Sequence, residues 1–358
     1  MIKVATVFSG IGAFEYALKQ MKIEHEIVFA CDCGDRKVEI NKETINYLRS
    51  IADDTKRYLE VDAIYNKSKK ENRIKNTYFA NYSINENRWF NDIRFINGKP
   101  YANKIDIFVG GSPCQSFSHM GKRKGLDDTR GTLFYDYARL IKEIEPKVFI
   151  FENVPGMITH DNGKTWETIL NVFSTMNYDI HFKIMNSLDY GIPQSRKRLF
   201  VVGFKGNKRR NFSFPKEEPL RIASSDLLEK NVDPKYYFKK KGFEFVTNPK
   251  NSGRAKINSS VIRTEKRNQQ FNWNGDFRFE RIEDINDQAI LKTAYVGFYN
   301  GAQGVARKLT PRECHRLMGF GDDFIINPND IDAYKQSGNS IVVNVLSELI
   351  KEIMKVIE

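Results

Sequence analysis

The chain has 358 residues, 41% of them hydrophobic, enough to bury a large core as one large domain or two moderate ones. No run is apolar enough over sufficient length to cross a bilayer, and "MIKVATVFSG" enters a strand pattern without a signal-peptide cleavage region, so the cytoplasm is the expected location. Lys and Arg number 57 against 45 Asp and Glu, a formal net charge of +12, which suggests a polyanionic partner.

From residue 2 to about 204, short apolar runs alternate with amphipathic stretches: "IKVATVF", "GAFEYALKQM", "EIVFA", "IDIFV", "LFYDYARLIKEI", "KVFIFENV", "TWETILNVFSTM" and "LFVVGF". Strand followed by helix followed by strand predicts an α/β fold with a doubly wound, mostly parallel sheet and sites at the carboxyl ends of its strands. "VFSGIGAFE" at 7–15 reads as strand, glycine-rich turn and helix start, with Asp32 lying 20 residues beyond Gly12 at the end of the next strand. Glycines let a backbone approach a ligand, and an acid on the second strand can accept both ribose hydroxyls. The full G-x-G-x-x-G is missing, and Ala13 follows Gly12 where more glycine would be expected, so a nucleoside cofactor fits better than a dinucleotide and a purely structural turn stays open.

Cysteines stand at 31, 33, 114 and 314 without zinc-site spacing, so no metal is expected and the thiols are expected to be reduced. Residues 52–90 interrupt the rhythm with Lys, Asn, Glu and Arg, as in "NKSKKENRIKN", and read as a polar insertion with some helix and no assigned chemistry. "GGSPCQSFS" at 110–118 places Cys114 in a loop following an apolar strand, where backbone amides can lower a thiol's pKa; a small apolar core role is the alternative. "FIFENV" at 149–154 brings Glu152 to the same edge, to bond a ring nitrogen or amine or to cap "NVPGM". Arg196 and Arg198 of "QSRKRLFVV" have forks suited to a base oxygen or phosphate, or to pairing with acids.

Beyond 204 the pattern turns irregular, and 205–300 carries 20 basic and 12 acidic residues, a candidate nucleic-acid surface or a solvated basic face. "SGNSIVVNVLSELIKEIMKVI" restores helical periodicity, with Asn339 or Ser340 near the helix N-cap and the helix expected to pack back on the sheet.

Taken in order, "FSGIGAFE", Asp32, "NDI" at 91–93, "GGSPCQSFS", "GKRKGLDDTRGTLFYDYARLI", "FENVPGM", "NSLDYGIPQSRKRLFVVGF", "RKLTPRECHRLMGF" and "QSGNSIVVNV" resemble the motif series of the C5-cytosine DNA methyltransferases of bacterial restriction-modification type. The resemblance spans nearly all of 3–204 and 303–350, leaving out the 52–90 insertion and 205–300. It implies a catalytic and cofactor-binding domain at 1–204, with 322–358 packing back onto it, and a target-recognition domain at 205–321.

The resemblance also implies a mechanism in which Cys114 attacks C6 of a flipped-out cytosine, Glu152 contacts N3 and the exocyclic amine, and Arg198, supported by Arg196, holds O2 and the active-site loop. C5 then takes the methyl of S-adenosylmethionine. Phe8, Gly10 and Ile11 are implied around the methionine part, Asp32 on the ribose, Asp92 with Ile93 at the adenine, and Pro113, Leu133, Asn339 and Ser340 nearby. Members often carry an aromatic beside the ribose acid where this chain has Cys33. The loop 118–131, with Ser118, Lys122, Arg123 and Arg130, resembles the element that closes over DNA. Gln269, Gln270, Asn272 and Arg278 have donors and acceptors suited to base edges or phosphates. The implied partners are double-stranded DNA and a cognate restriction endonuclease acting on the same site, the enzyme itself a monomer. A tRNA cytosine-5 methyltransferase and a catalytically inactive DNA-binding regulator remain as alternatives.

Overall fold

Strand β1 (Ile2–Val7) is followed at once by a turn and by helix α1 (Ala13–Gln20), and β2 (His25–Cys31) then lies parallel to β1. In the computed structural model the described residues are 1–36, 38–112, 133–206, 211–268, 270–271 and 273–357. They form two compact units: Met1–Met185 with Lys197–Pro215 and Leu346–Glu358, and Asn186–Arg196 with Lys216–Val345.

In the first unit, β2 is followed by α2 (Lys42–Ser50), α3 (Asp54–Asn66) and α4 (Arg73–Asn81), each capped by an Asn or Asp side chain that accepts a first-turn amide. The polar insertion is therefore α3 and α4. Next come the short β3 (Trp89–Phe90), β4 (Ile107–Gly110), α5 (Leu133–Ile144), β5 (Val148–Asn153), α6 (Lys164–Ser174) and β6 (Tyr178–Asn186). After the two-residue β7 (Gln194–Ser195) of the second unit, β8 (Lys197–Lys205) completes a seven-stranded sheet in the order β3-β2-β1-β4-β5-β8-β6.

The pairings from β3 through β5 are all parallel, so the carboxyl ends of five strands share one edge of the sheet. The order in which successive strands are added switches side between β1 and β4, the position where doubly wound folds open a ligand crevice. Strand β8 runs antiparallel to β5, with Asn153 opposite Leu199 and Glu152 opposite Phe200. Its first residues therefore reach the edge that the parallel strands reach with their last.

The core explains the sequence pattern. Phe108, Phe149, Phe151, Leu199 and Val201 of the central strands are at most 1% exposed and pack with Phe134, Tyr137, Ile141 and Ile144 from one face of α5. After β8 the chain stays with the first unit as far as Pro215, because Phe212 packs on Phe204 with ring centroids 5.0 Å apart. That places the break later than the expected 204.

The second unit contains α7 (Lys240–Thr247), β9 (Ala255–Ile257), β10 (Ile262–Arg263), β11 (Gly275–Arg281), α8 (Gln288–Thr293), β12 (Gly297–Tyr299), β13 (Ala302–Lys308), α9 (Pro311–Arg316) and α10 (Asp330–Asn339). Four strands make a sheet in the order β12-β13-β11-β9, with Phe238, Phe243, Phe277 and Phe279 buried against it. Arg307 on β13 is buried between Glu280 and Glu313, and Glu313 also completes a capping box with Thr310 at the start of α9. The order "RKLTPRE" thus encodes a strand end, a cap and a buried ion pair.

α10 belongs with this unit, its Tyr334 hydroxyl donating to the Leu309 carbonyl at 2.6 Å, so the second unit extends past the expected 321. Asn339 is the last residue of α10, Ser340 follows it in extended conformation, and the final helix α11 (Val343–Ile357) starts only at Val343. The expected N-cap at Asn339 or Ser340 is therefore corrected. The Ser340 carbonyl is occupied instead by Arg196, at 2.8 Å.

Candidate active site

The turn after β1 has an uncommon backbone. Phe8 (φ 55°), Gly10 (φ 54°) and Gly12 (φ 79°) all lie in the left-handed region, and a Cβ on Gly12 would sit 2.3 Å from the Tyr82 ring. Only glycine is free of strain there, and a non-glycine residue held in this region, as Phe8 is, marks a place where the surrounding structure imposes the conformation.

Asp32, one residue past β2, accepts from the Gly10 amide with Oδ2 (2.9 Å) and from the Gly34 amide with Oδ1 (2.8 Å). A carboxylate has about four lone-pair sites, so about two remain for other donors such as a pair of vicinal hydroxyls. Burial raises the Asp32 pKa above its ordinary value, an effect the two amides oppose. Asp92, just after β3, takes the Tyr65 hydroxyl on Oδ2 (3.0 Å), and Arg94 donates to both its oxygens, the shortest contact being 2.6 Å. Ile93 beside it is buried. Phe8 and Leu133, the first residue of α5, are half-buried and pack on the apolar core. Phe8, Gly10, Ile11, Asp32, Asp92, Ile93 and Leu133 thus all belong to the first unit.

Glu152 lies at the end of β5 with its side chain largely buried, and its Oε1 is 3.0 Å from Nε of Arg198, which is buried to the same degree. Behind it, a Cβ at Gly111 would come 2.8 Å from the Glu152 carbonyl and 3.0 Å from its Oε2, so the backbone after β4 fits against Glu152 only as glycine. The next residue, Ser112, has its carbonyl held by Asn153 Nδ2 at 2.9 Å. These contacts fix the chain two residues before Cys114. Cys114 itself, Pro113, Ser118, Lys122, Arg123, Arg130, Gln269 and Asn272 lie outside the described residues.

Arg196, Asn339 and Ser340 belong to the second unit. Arg196 is 3% exposed and donates to the carbonyls of Glu265 (2.7 Å), Gly338 (3.1 Å) and Ser340 (2.8 Å), tying three segments together. Such a guanidinium is a structural clamp in this unit, and its neighbour in sequence, Arg198, faces a carboxylate in the other. Gln270 is 1% exposed beside Glu265, Cys314 and Tyr334, so its amide is turned inward and not, as expected, toward a base edge. Arg278 on β11 is half-buried, and burial together with neighbouring Arg307 lowers its pKa.

Sequence reasoning missed the contribution of the 52–90 segment. Tyr78 of α4 donates to Glu15 Oε1 at 2.7 Å, Tyr82 donates to the Gly12 carbonyl at 2.5 Å, and Asn72 Nδ2 donates to the Asp32 carbonyl at 3.0 Å. The available signal was a pair of tyrosines four residues apart, Tyr78 within α4 and Tyr82 just past its end in extended conformation.

Residues 57–355 match the family model of the C-5 cytosine-specific DNA methylases. The chain is similar to the Type II methyltransferase M.HhaI of Haemophilus parahaemolyticus, 38% identical over 263 residues, 71% of this chain and 77% of that protein. It is also similar to the Type II methyltransferase M.HpaII of Haemophilus parainfluenzae, 34% identical over 302 residues, 80% of this chain and 81% of that protein. Among solved structures, a DNMT2 mutant of Spodoptera frugiperda superposes with a TM-score of 0.67 at 19% identity, covering 99% of this chain and 100% of that one, a likeness of fold.

Proposed function

The chain belongs to the C-5 cytosine-specific DNA methylase family and is a DNA (cytosine-5-)-methyltransferase, and from that premise we propose that it methylates one cytosine of a specific duplex sequence by a covalent route through Cys114. The observation that carries the reading is the Glu152–Arg198 pair, set against Gly111 and Ser112 on the strand edge that leads into Cys114. A carboxylate and a guanidinium held together at 3.0 Å present an acceptor for an exocyclic amine and a donor for a base oxygen side by side.

C6 of a stacked cytosine is out of reach of a side chain, so the base must leave the helix, at a cost of about a few kcal/mol. The Cys114 thiolate forms a bond to C6, and the ring's electron density moves to C5. Glu152 stabilises the ring through N3 and the amine, while Arg198 steadies O2. C5 bonds to the transferred methyl, its proton leaves to a base, and the electrons of the C5–H bond reform the double bond as the S–C6 bond breaks.

S-adenosylmethionine, when bound, supplies an electrophilic methyl. The residues present fit its nucleoside: Asp32 keeps free acceptor sites, the glycine turn leaves open backbone, with nothing within 4 Å of a Cβ at Gly10, and Ile93 offers an apolar face. Asp32 holds the ribose and Asp92 with Ile93 the adenine. Phe8, Gly10, Ile11 and Leu133 of the same unit complete the site.

The first unit is then the catalytic one, and the second reads sequence with the part of the basic segment 205–300 that it holds, 216–300, Lys and Arg there supplying phosphate contacts. The enzyme acts as the modification partner of a restriction endonuclease, as a monomer in the cytoplasm; no helix among the described residues is long and apolar enough to cross a membrane. Incubating the protein with tritiated S-adenosylmethionine and either duplex DNA or tRNA tests the reading: label is expected in DNA and not in tRNA. Label in tRNA alone, or in neither, overturns it.

A further inference from the structure

Three turns at the carboxyl edge of the sheet each receive a side-chain hydrogen bond from the segment 52–90, which lies outside the motif series of the family. Tyr65 on α3 donates to Asp92 Oδ2 at 3.0 Å. Asn72, the N-cap of α4, donates to the Asp32 carbonyl at 3.0 Å while its Oδ1 accepts from the Lys75 amide. Tyr82, closing α4, donates to the Gly12 carbonyl at 2.5 Å.

Packing makes two of the same points. A Cβ at Gly34 would lie 2.0 Å from Asn72 Oδ1, and one at Gly12 would lie 2.3 Å from the Tyr82 ring, so both turns are moulded onto this segment. Between the turns, Arg36 stacks over Tyr65 at 4.9 Å, donates to the Cys33 carbonyl at 2.8 Å and bonds Asn91, which in turn donates to Asp62 of α3 at 2.8 Å. Asn72, Tyr65, Asn91 and Arg36 are all buried or nearly so, where an unmade hydrogen bond is costly and a made one fixes geometry.

We propose that α3 and α4 form a brace for the nucleoside part of the cofactor site, with Tyr65, Asn72 and Tyr82 as positioning residues for Asp92, the Asp32 turn and the Gly12 turn. The inference rests on the S-adenosylmethionine reading above. The bonds from Tyr65, Asn72 and Tyr82 all end on the turns that follow β3, β2 and β1, and not on Glu152 or Arg198. The brace therefore sets cofactor affinity and leaves the methyl-transfer step alone. A segment that merely filled space would meet the sheet through apolar contacts, whereas here each turn is met by a donor aimed at a carbonyl or carboxylate.

Tyr65→Phe keeps the ring under Arg36 and removes only the hydroxyl; Tyr82→Phe and Asn72→Ala remove the other two donors. In the full-length protein, each variant is expected to weaken calorimetric binding of S-adenosylmethionine about tenfold and raise its KM in parallel, with kcat at saturating cofactor and duplex affinity within about twofold of the parent. Cofactor affinity within about twofold of the parent for all three overturns the brace. So does a loss of cofactor affinity that comes with an equal loss of kcat, of DNA affinity and of melting temperature, which is the signature of general destabilisation. The two tyrosine variants, being nearly isosteric, decide the matter if Asn72→Ala does not fold. A parent protein that binds no S-adenosylmethionine sinks the cofactor reading itself, a result distinct from parent and variants binding it equally.

Discussion

Glu152 and Arg198 face each other at 3.0 Å across neighbouring antiparallel strands, at the one edge of the sheet where five parallel strands also end. The pair places opposite charges, each more than four-fifths buried, where a base edge with a donor and an acceptor can meet both. Arg198→Ala is expected to lower kcat about 10²–10³-fold while cofactor affinity is retained, since a fixed charge that stabilises the activated ring acts chiefly in the transition state. Arg198→Lys keeps the charge but loses the fork and should fall between. Single-turnover methylation separates these; an unchanged rate for Arg198→Ala removes the arginine from the chemistry.

Asp32→Ala should weaken S-adenosylmethionine binding by about 1.5–3 kcal/mol, the loss expected for hydrogen bonds to a charged group. Duplex affinity should persist. Calorimetry with the cofactor and, separately, with DNA checks both, and undiminished cofactor affinity would make Asp32 a purely structural acceptor for the Gly10 and Gly34 amides.

The second unit depends on a buried ion pair. Arg307 and Glu313 are at most 1% exposed, and two parallel contacts of 2.9 Å join them, with Glu313 also accepting from the Thr310 and Glu229 amides. Removing Glu313 leaves the buried Arg307 charge with Glu280, itself 26% exposed, as its carboxylate partner among the described residues. Glu313→Gln is therefore expected to cost about 3–5 kcal/mol in denaturant unfolding, and the double replacement Arg307→Met with Glu313→Leu clearly less. A single variant that loses under about 1 kcal/mol contradicts this account of the unit.

Glu265 gives a pH signature. Burial pushes its carboxyl up to about 8 from the usual 4.5, against the opposing influence of Arg196 and of hydrogen bonds with Cys314 and Ser337, while Asp276 adds to the rise. Between those values the unfolded chain has released the proton and the folded one retains it, so stability falls as pH rises through the window, by at most about 1.4 kcal/mol per pH unit. Glu265→Gln should flatten that dependence and make the protein relatively more stable at pH 8 than at pH 5. A parent and variant with parallel stability profiles between pH 5 and 8 would show that Glu265 is ionised in the folded state.

Much of the first unit was legible because parallel strands buried on both faces read as continuous apolar runs, and because "FSGIGAFE", Asp32 and "FENVPGM" mark the ends of such runs. The role of 52–90 was hidden by its composition: Tyr65, Asn72 and Tyr82 work through single hydroxyl and amide bonds to turns distant in sequence, which no periodicity reports. The start of α11 was expected too early because "SGNSIVVN" is compatible with a helix start, while the Ser340 carbonyl is bonded by Arg196, 144 residues away. Gln270 looked like a base reader as one of a polar run, yet it is 1% exposed, beside Glu265, Cys314 and Tyr334.

The covalent role of Cys114 is tested most directly by trapping. Duplex DNA carrying 5-fluorocytosine at the target should become attached to the protein in the presence of S-adenosylmethionine, because fluorine cannot leave C5 as a cation and the S–C6 bond then cannot break. The adduct should survive denaturing electrophoresis, map to Cys114 by mass spectrometry, and vanish in Cys114→Ser, whose hydroxyl is far less ionised and far less nucleophilic than a thiol near neutral pH. An adduct on Cys31, Cys33 or Cys314, or normal methylation by Cys114→Ser, would contradict the mechanism.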